Sequence, residues 1–217
     1  MKQKKCVIID YGIGNVFSVM RAIEHIGHIP ELSSDPVRII SADTVILPGV
    51  GAFGEASQQL KKLSLDSVIL EYIARGKPFL GICVGMQLLM DHGDEFGPNL
   101  GLGVIHGSVT KILPRKESGT YYPVPLIGWF PTQPSCKESW IKSPMKGFNS
   151  EKAFYFLHSH QAKVKNLKHV VGYHQFGKEK IISAVKKDNV FGVQFHPEKS
   201  AESGQIFLKQ FVESKLF

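Results

Sequence analysis

The sequence predicts an α/β protein with an open, mixed and largely parallel sheet flanked by helices, and with antiparallel strands in the C-terminal half. Over the first 100 residues, short apolar segments alternate with segments of helical periodicity, which is typical of a parallel sheet covered on both faces. Later segments are short, rich in β-forming residues and separated by turn residues. Without an internal repeat or a convincing linker, we expect residues 1–217 to form one domain.

The first half of the chain alternates predicted strands and helices. A buried strand at 6–10 leads into a helix at 16–27, whose apolar residues recur with a helical period. Asp35 and Pro36 are typical of the first residues of a second helix. The segments that follow are a strand at 44–47, helices at about 55–63 and 66–75, a strand at 78–83 and a helix at 84–91.

The second half contains five short segments that predict strands, at 103–113, 152–160, 169–176, 180–186 and 189–195. We expect these strands to extend the same sheet. The stretch 114–144 is rich in Pro, Gly, Ser and Lys, which predicts long loops. A last helix is predicted at about 203–215.

Cysteine usage and the N-terminal segment favour a cytoplasmic location. The three cysteines, at 6, 83 and 136, are far apart and form no Cys-x-x-Cys pair, so neither a disulfide framework nor a cysteine-rich zinc site is predicted. This usage is typical of a reducing compartment. Only four apolar residues precede Asp10, too few for a signal peptide or a membrane span.

The formal net charge of +7 raises nucleic acid as a partner. However, the lysines are scattered between apolar segments, and no nucleic-acid recognition motif accompanies them. We therefore expect neither a nucleic acid nor a membrane as partner. A basic face that meets an acidic protein stays open.

Cys83 lies in the segment FLGICVGMQLL, between a predicted strand and a predicted helix. A nucleophile on such a sharp turn crowds the residues two positions before and after it, and Gly81 and Gly85 relieve that crowding. Amides at the start of the following helix favour the thiolate. The alternative is a buried cysteine that packs as a small hydrophobic residue.

A base and a residue that orients it are available in the segment FGVQFHPEKS, 191–200. His196 follows a predicted strand, and Glu198 is positioned to accept a hydrogen bond from one of its ring nitrogens. Together with Cys83 they have the composition of a nucleophile triad. The alternative is a surface turn with an ordinary His–Glu contact.

Glycines in LPGVGAFG, at 49, 51 and 54, follow a predicted strand. They allow the backbone to approach a ligand and to rotate a peptide group, as an oxyanion donor requires. No Gly-Lys-Ser/Thr follows, so this is not a phosphate-binding loop, and DYGIGNVF lacks the third glycine of a dinucleotide site. We expect no cofactor.

Together these segments resemble the class I (triad-type) glutamine amidotransferases, and among them the glutaminase subunits of imidazole glycerol phosphate synthase. The resemblance runs nearly end to end, in the order IIDYGIGNVFSV, LPGVGAFGEA, GKPFLGICVGMQLL, GLGVI, FYFLHSH and VFGVQFHPEKS. It implies a flavodoxin-like fold and a triad of Cys83, His196 and Glu198. It also implies that the backbone amides that bind the oxyanion come from Val50, Gly51 and Val84. The residues that it implies for glutamine binding are Gln87, His158, Ser159 and His160.

The function that this resemblance implies is hydrolysis of glutamine to glutamate, with delivery of ammonia to a β/α-barrel cyclase subunit. That heterodimer makes imidazole glycerol phosphate and aminoimidazole carboxamide ribotide in histidine biosynthesis. The resemblance implies no cofactor and no metal. Its candidate interface residues are Asn15, Trp129 and Lys199.

Three positions depart from the family pattern. Leu126 and Phe130 stand where the family usually has His and Asn, and His160 stands where an aromatic residue is usual. We expect Leu126 and Phe130 to mark an altered face for the partner.

Three alternatives stay open. One is a paralogue that supplies ammonia for amidination of a sugar precursor in surface polysaccharide synthesis. Another is a non-catalytic subunit that only binds a partner, against which the complete triad argues. The third is a zinc site formed by Cys83, His158 and His160.

Overall fold

The computed structural model of the protein describes residues 3–214, which form fifteen strands and six α-helices. The strands are β1 Lys5–Ile9, β2 Ile29–Ser33, β3 Thr44–Leu47, β4 Phe79–Ile82, β5 His92–Gly93, β6 Asn99–Leu100, β7 Gly107–Lys111, β8 Arg115–Glu117, β9 Thr120–Tyr122, β10 Leu126–Pro134, β11 Ala153–His158, β12 His160–Val164, β13 Val170–Phe176, β14 Glu179–Lys187 and β15 Val190–Val193. The helices are α1 Val16–His25, α2 Pro36–Ser41, α3 Phe53–Lys62, α4 Leu65–Ala74, α5 Val84–Gln87 and α6 Ala201–Glu213. Short 3-10 turns occupy Leu167–His169 and Pro197–Lys199.

Nine of these strands form one mixed sheet in the order β11-β10-β13-β14-β15-β4-β3-β1-β2. The strands β2, β1, β3, β4 and β15 run parallel, in the order typical of flavodoxin-like sheets. The other four are antiparallel. The predicted fold class, a largely parallel sheet with antiparallel strands contributed by the C-terminal half, is therefore confirmed.

The helix starts follow from local sequence. The Asp35 side chain accepts a hydrogen bond from the Val37 backbone N–H at 2.8 Å, so it caps α2 as the Asp-Pro pair predicts. No helix within residues 3–214 is long and apolar enough to cross a membrane.

Some boundaries differ from the sequence predictions. The segment predicted as long loops contains β10, whose alternate residues Leu126 and Thr132 are buried in the core. Not all late strands extend the main sheet, because β12 and β7 pair in a separate four-stranded sheet. Helix α5 ends at Gln87, earlier than predicted. Residue 215, at the predicted end of the last helix, lies outside the described residues.

One edge of the sheet brings the predicted motifs together. Strands β3, β4 and β15 are parallel neighbours, so their carboxyl ends lie side by side. The glycine-rich segment follows β3, Cys83 follows β4, and His196 lies just beyond β15. Loops at the carboxyl ends of parallel strands are the usual location of ligand sites in such sheets.

Candidate active site

Cys83 occupies a strained turn between β4 and α5. Its backbone has φ 55° and ψ −110°, a conformation that non-glycine residues rarely adopt, and its N–H donates to the Val193 carbonyl at 2.7 Å. A Cβ on Gly81 would lie 2.5 Å from the Gly85 carbonyl oxygen, and a side chain on Gly85 would overlap the Leu47 carbonyl oxygen. Both glycines are therefore required by close packing around the cysteine.

The side chains of His196 and Glu198 form a buried pair. His196 Nδ1 lies 2.8 Å from Glu198 Oε1, and the two side chains are 2% and 1% exposed. Pro197 opens the 3-10 turn Pro197–Lys199, which bends the chain so that Glu198 reaches back to the imidazole. The Ser200 hydroxyl donates to the His196 carbonyl at 2.6 Å and holds this turn. The arrangement orients the imidazole through Nδ1 and leaves Nε2 for Cys83.

The electrostatic surroundings of His196 favour the imidazolium. Burial lowers the pKa of the imidazole, but the side chains of Cys83 and Glu198 raise it more, and the pKa is about 10. Nε2 makes no well-aligned hydrogen bond, although Cys83 is close enough to act on it. An imidazolium beside the sulfur favours a thiolate–imidazolium pair.

A cavity of about 270 Å³ opens beside the sulfur. All the predicted catalytic, oxyanion and glutamine-binding residues line this cavity except Glu198, which lies behind the imidazole: Cys83, His196, Val50, Gly51, Val84, Gln87, His158, Ser159 and His160. A cavity of this size accommodates a molecule as small as an amino acid.

Hydrogen bonds fix the part of the cavity wall that residues 158–160 form. His158 Nδ1 lies 2.8 Å from the His160 carbonyl, and Gln87 Nε2 donates to the same carbonyl at 3.2 Å. Burial is the main cause of the lowered pKa of His158, about 4, so its imidazole is neutral and donates through Nδ1. Two donors thus hold the backbone of residues 158–160 in place.

Glu95, the one carboxylate among the residues that line the cavity, was not predicted from the sequence. Its Oε2 accepts a hydrogen bond from the Phe53 backbone N–H at 2.8 Å, at the start of α3. Its Oε1 lies 3.4 Å from His160 Nδ1. A lone carboxylate in a turn shows no recognisable pattern, so no sequence signal distinguishes Glu95 from other surface acids.

Gln194 was missed as well, although a signal was present. It precedes His196 by two positions after β15, and side chains two apart in an extended segment point the same way. Its Nε2 donates to Cys83 Sγ at 3.6 Å.

Two of the predicted interface residues lie in one surface patch beside the cavity. The Trp129 side chain is 51% exposed, and its ring packs edge-to-face on Tyr155 with centroids 6.0 Å apart. Lys199 Nζ lies 6.0 Å from the centre of the same tyrosine ring. The third residue, Asn15, precedes α1, which packs against the Pro197–Lys199 turn.

The prediction that Leu126 and Phe130 form an altered partner face is wrong. Leu126 is 1% exposed and packs with Ile112, Phe176 and Ile181. The Phe130 ring packs against Phe156, with centroids 5.9 Å apart. Because side chains alternate along β10, these two residues point into the protein, while Ile127 and Trp129 point outward.

The zinc alternative also fails in the structure. Within residues 3–214, no group of three or more His, Cys, Asp or Glu side chains is arranged to hold a metal ion. Cys83, His158 and His160 line the same cavity but do not form such a group.

Comparison with protein families gives a match over nearly the whole described chain. The family described as glutamine amidotransferase class-I matches residues 7–214. The chain belongs to the class I glutamine amidotransferase family. Its cysteine turn, buried His–Glu pair and cavity are therefore features of an amidotransferase domain.

Curated relatives of this amidotransferase carry a more specific name. The chain is 42% identical over 211 residues to imidazole glycerol phosphate synthase subunit HisH of Lactococcus lactis subsp. lactis, covering 97% of this chain and 98% of the relative. It is 37% identical over 207 residues to subunit HisH 1 of Legionella pneumophila, covering 95% and 97%.

Solved structures agree on the amidotransferase fold. The structure of PurLQS from Thermotoga maritima superposes with a TM-score of 0.72 at 19% identity, covering 97% of this chain and 98% of that chain. A glutamine amidotransferase from the same organism gives a TM-score of 0.64 at 14% identity, covering 99% and 100%.

Proposed function

We propose that this chain is the glutaminase subunit of an imidazole glycerol phosphate synthase. It hydrolyses glutamine to glutamate and delivers the ammonia to a β/α-barrel cyclase subunit in histidine biosynthesis. The observation that carries this proposal is the position of Cys83, in a strained turn at the cavity, together with the buried His196–Glu198 pair beside it. The similarity to HisH subunits over 95% or more of the chain supports the specific pathway.

The proposed reaction begins with attack of the Cys83 thiolate on the carboxamide carbon of glutamine. The carbonyl oxygen becomes an oxyanion, for which the backbone N–H groups of Val50, Gly51 and Val84 are the proposed donors. When the tetrahedral intermediate collapses, the carbon–nitrogen bond breaks and the His196 imidazolium gives its proton to the leaving ammonia. The products of this step are a glutamyl thioester and neutral His196.

Hydrolysis of the thioester completes the cycle. Neutral His196 takes a proton from water, which attacks the thioester carbon, and the carbon–sulfur bond breaks to release glutamate and the thiolate. Glu198 stays ionised and hydrogen-bonded to Nδ1, where it fixes the tautomer and stabilises the imidazolium. The proton inventory is then the same as at the start.

We assign Glu95 to the α-ammonium group of glutamine. It is the one carboxylate among the residues that line the cavity, and the Phe53 N–H holds its other oxygen. A charged hydrogen bond of this kind is among the stronger ones in proteins. Gln87 and the backbone of residues 158–160 complete the proposed glutamine site.

The proposed partner surface lies beside the mouth of the cavity. Trp129 and Lys199 are exposed and both contact the half-buried Tyr155, and Leu157 belongs both to this patch and to the cavity wall. An aromatic group with a neighbouring cation is typical of residues that contribute strongly to interfaces. A barrel subunit seated here receives ammonia without its passage through bulk water.

We further propose that residues 1–217 act as one domain in the cytoplasm. The family match covers 7–214, and the nine-stranded sheet includes strands from both halves of the chain. All three cysteines are free thiols, which is typical of a reducing compartment.

The paralogue reading receives no support from Leu126 and Phe130, because both residues face the interior and do not belong to the outer face of β10. The non-catalytic reading is opposed by the assembled pair of His196 and Glu198 beside Cys83.

The deciding experiment reconstitutes the chain with a histidine-pathway cyclase and measures two products. Glutamate release reports the glutaminase reaction, and imidazole glycerol phosphate reports ammonia transfer to the acceptor. Cyclase alone, supplied with glutamine, is the control. Glutamate without the second product would retain the glutaminase but assign another acceptor, whereas no glutamate would refute the proposal.

A further inference from the structure

The side-chain amide of Gln194 lies against the sulfur of Cys83. Its Nε2 donates to Sγ at 3.6 Å, and the residue is completely buried at 0% exposure. The Gln194 backbone N–H donates to the Ser183 carbonyl at 2.9 Å, which ties the residue to β14 just beyond the end of β15. The sulfur therefore has a fixed N–H donor in addition to the imidazole of His196.

A chain of hydrogen bonds determines which end of the Gln194 amide faces the sulfur. The first hydrogen bond of this series is to the His160 carbonyl. A carbonyl can only accept, so Gln87 presents Nε2 to it at 3.2 Å. The same nitrogen donates its second N–H to Gln194 Oε1 at 3.0 Å. With its oxygen occupied in this way, Gln194 presents Nε2 to Cys83.

The opposite orientation of either amide is unfavourable. A flipped Gln194 would place its NH₂ against the NH₂ of Gln87 and its oxygen against the lone pairs of the sulfur. A flipped Gln87 would place its oxygen against the His160 carbonyl oxygen. The polarity of the network is therefore fixed by one backbone carbonyl, and it ends with a donor at the nucleophile.

A donor in this position favours the charged sulfur. A hydrogen bond to the ionised form of a group stabilises that form, and the effect is larger where water is excluded. Helix α5 is only four residues long, so its dipole is short. The N–H of Gln194 thus supplies stabilisation that the helix provides only in part.

We propose that Gln194 is a thiolate-binding residue of the active site, and that Gln87 is the positioning residue that aims its amide at the sulfur. This inference rests on the proposed glutamine hydrolysis for its catalytic meaning. The Gln194 N–H binds the attacking thiolate, and binds it again when the thiolate leaves the glutamyl thioester. Gln87 accordingly has a second task besides lining the glutamine cavity.

The test measures the reactivity of Cys83 directly. Iodoacetamide alkylation rates are recorded from about pH 5 to about pH 10 and read for each cysteine by peptide mass spectrometry. In Gln194→Met, which keeps the length but loses the donor, we expect the alkylation profile of Cys83 to shift to higher pH, with a roughly tenfold lower rate on its acidic limb. Gln161→Met, at another buried glutamine, is the matched control, and exposed Cys136 is the internal one.

Two further variants keep the test decisive. Gln194→Asn replaces the Met variant in the test if the latter does not fold. Its side chain retains an amide but is one methylene too short to reach the sulfur, so the same shift of the Cys83 profile is expected. Gln87→Leu is expected to give a smaller shift in the same direction, because the Gln194 amide loses its anchor. A Cys83 profile that matches the wild type in a folded Gln194 variant would overturn the inference.

That result is distinct from failure of the proposed function. The alkylation profile reports on the sulfur whether or not glutamine is the substrate. A Cys83 profile in the Gln194 variants that equals the wild-type profile would refute the role of Gln194 but would not contradict the proposed glutaminase activity. Absence of glutamate release by the wild type with its partner would remove the glutaminase proposal and leave the alkylation result unchanged.

Discussion

His196 Nδ1 and Glu198 Oε1 lie 2.8 Å apart in a pair of side chains that are almost completely buried. The imidazole therefore has one ring nitrogen committed to a carboxylate and the other directed toward Cys83. This relationship links the protonation of the site to the stability of the fold.

The first prediction concerns that link. The pKa of His196 is raised from 6.5 to about 10, so its contribution to stability is complete below about pH 6.5 and is lost as the pH rises through about 10. Glu198→Gln removes one of the two interactions that raise this pKa. We expect the melting temperature of Glu198→Gln to fall less steeply than that of the wild type between those two pH values.

The matched control for this measurement is Glu151→Gln, at an exposed carboxylate outside the site. If the melting temperatures of wild type and Glu198→Gln fall equally steeply with pH, the prediction is wrong. Glu198→Gln is also expected to lower kcat for glutamine hydrolysis by about 100-fold or more, because the base loses its orientation and its charge partner.

The second prediction is that Cys83→Ala abolishes glutamate release while the protein still folds. The substitution removes the nucleophile but little volume from the buried turn. An electrophilic glutamine analogue is expected to label Cys83 alone. Burial is the main cause that raises the pKa of the Cys6 thiol to about 12, so Cys6 is unreactive near neutral pH. Cys136→Ser is the control, and hydrolysis by Cys83→Ala would refute the chemistry.

The third prediction assigns Glu95 to substrate binding. In Glu95→Gln we expect KM for glutamine to rise roughly 10- to 100-fold with little change in kcat, which corresponds to loss of a charged hydrogen bond worth about 1.5–3 kcal/mol. Steady-state kinetics with the partner present measure both constants. Asp94→Asn, at the exposed neighbouring residue, is the control. A fall in kcat alone would place Glu95 in the chemistry and not in binding.

The fourth prediction concerns the proposed oxyanion donors, which are the backbone N–H groups of Val50 and Gly51. We expect the isolated chain to be a poor glutaminase, and partner with acceptor to raise its activity about 100- to 1,000-fold, the usual effect of one oxyanion donor. Gly51 has φ 83°, an angle that glycine alone adopts freely. Gly51→Ala is therefore expected to restrict rotation of the peptide group and to alter the ratio of the glutaminase rates with and without the partner.

Gly147→Ala is a close control for this experiment. Gly147 has φ 84°, and a Cβ there would meet nothing within 4 Å, so the backbone strain is matched at a position outside the active-site cavity. Equal glutaminase rates with and without the partner would contradict the proposed activation. If the ratio of the rates with and without the partner is unchanged in Gly51→Ala, activation by the partner does not depend on rotation of the peptide group at Gly51.

The fifth prediction tests the partner surface. Trp129→Ala is expected to weaken cyclase binding by about 2 kcal/mol or more, a roughly 30-fold rise in Kd, because exposed tryptophans dominate many interfaces. Isothermal titration measures the change. Ile141→Ala, at a similarly exposed apolar residue outside this patch, is the control. Equal weakening in both variants would show that the Trp129 patch is not specific for the partner.

The sequence predicted the parallel half of the sheet because its strands are apolar runs that end at clear turn or helix signals, as at Thr44–Leu47. It failed for β10, in which Gly128, Pro131 and Pro134 interrupt the alternation with turn-forming residues. The separate sheet of β7 and β12 was also beyond reach, because strand pairing depends on contacts between distant segments.

In the site, too, residues with a local sequence motif were predicted and residues placed only by the fold were not. Cys83, His196 and the glycine-rich segment were found because each has a local motif. Glu95 has none, and only the fold brings it to the cavity. The inward orientation of Leu126 depends on the register of β10, which the sequence analysis did not assign because it took that segment for a loop.

The position of β15 has a consequence for the newly made chain. This strand lies between β4 and β14 in the sheet, yet it is the last strand to be synthesised. The sulfur of Cys83 leaves the ribosome long before His196, Glu198 and Gln194, which follow only after β15. A partly made chain therefore has the proposed nucleophile without the proposed base, and the site is assembled only when the last strand joins the sheet.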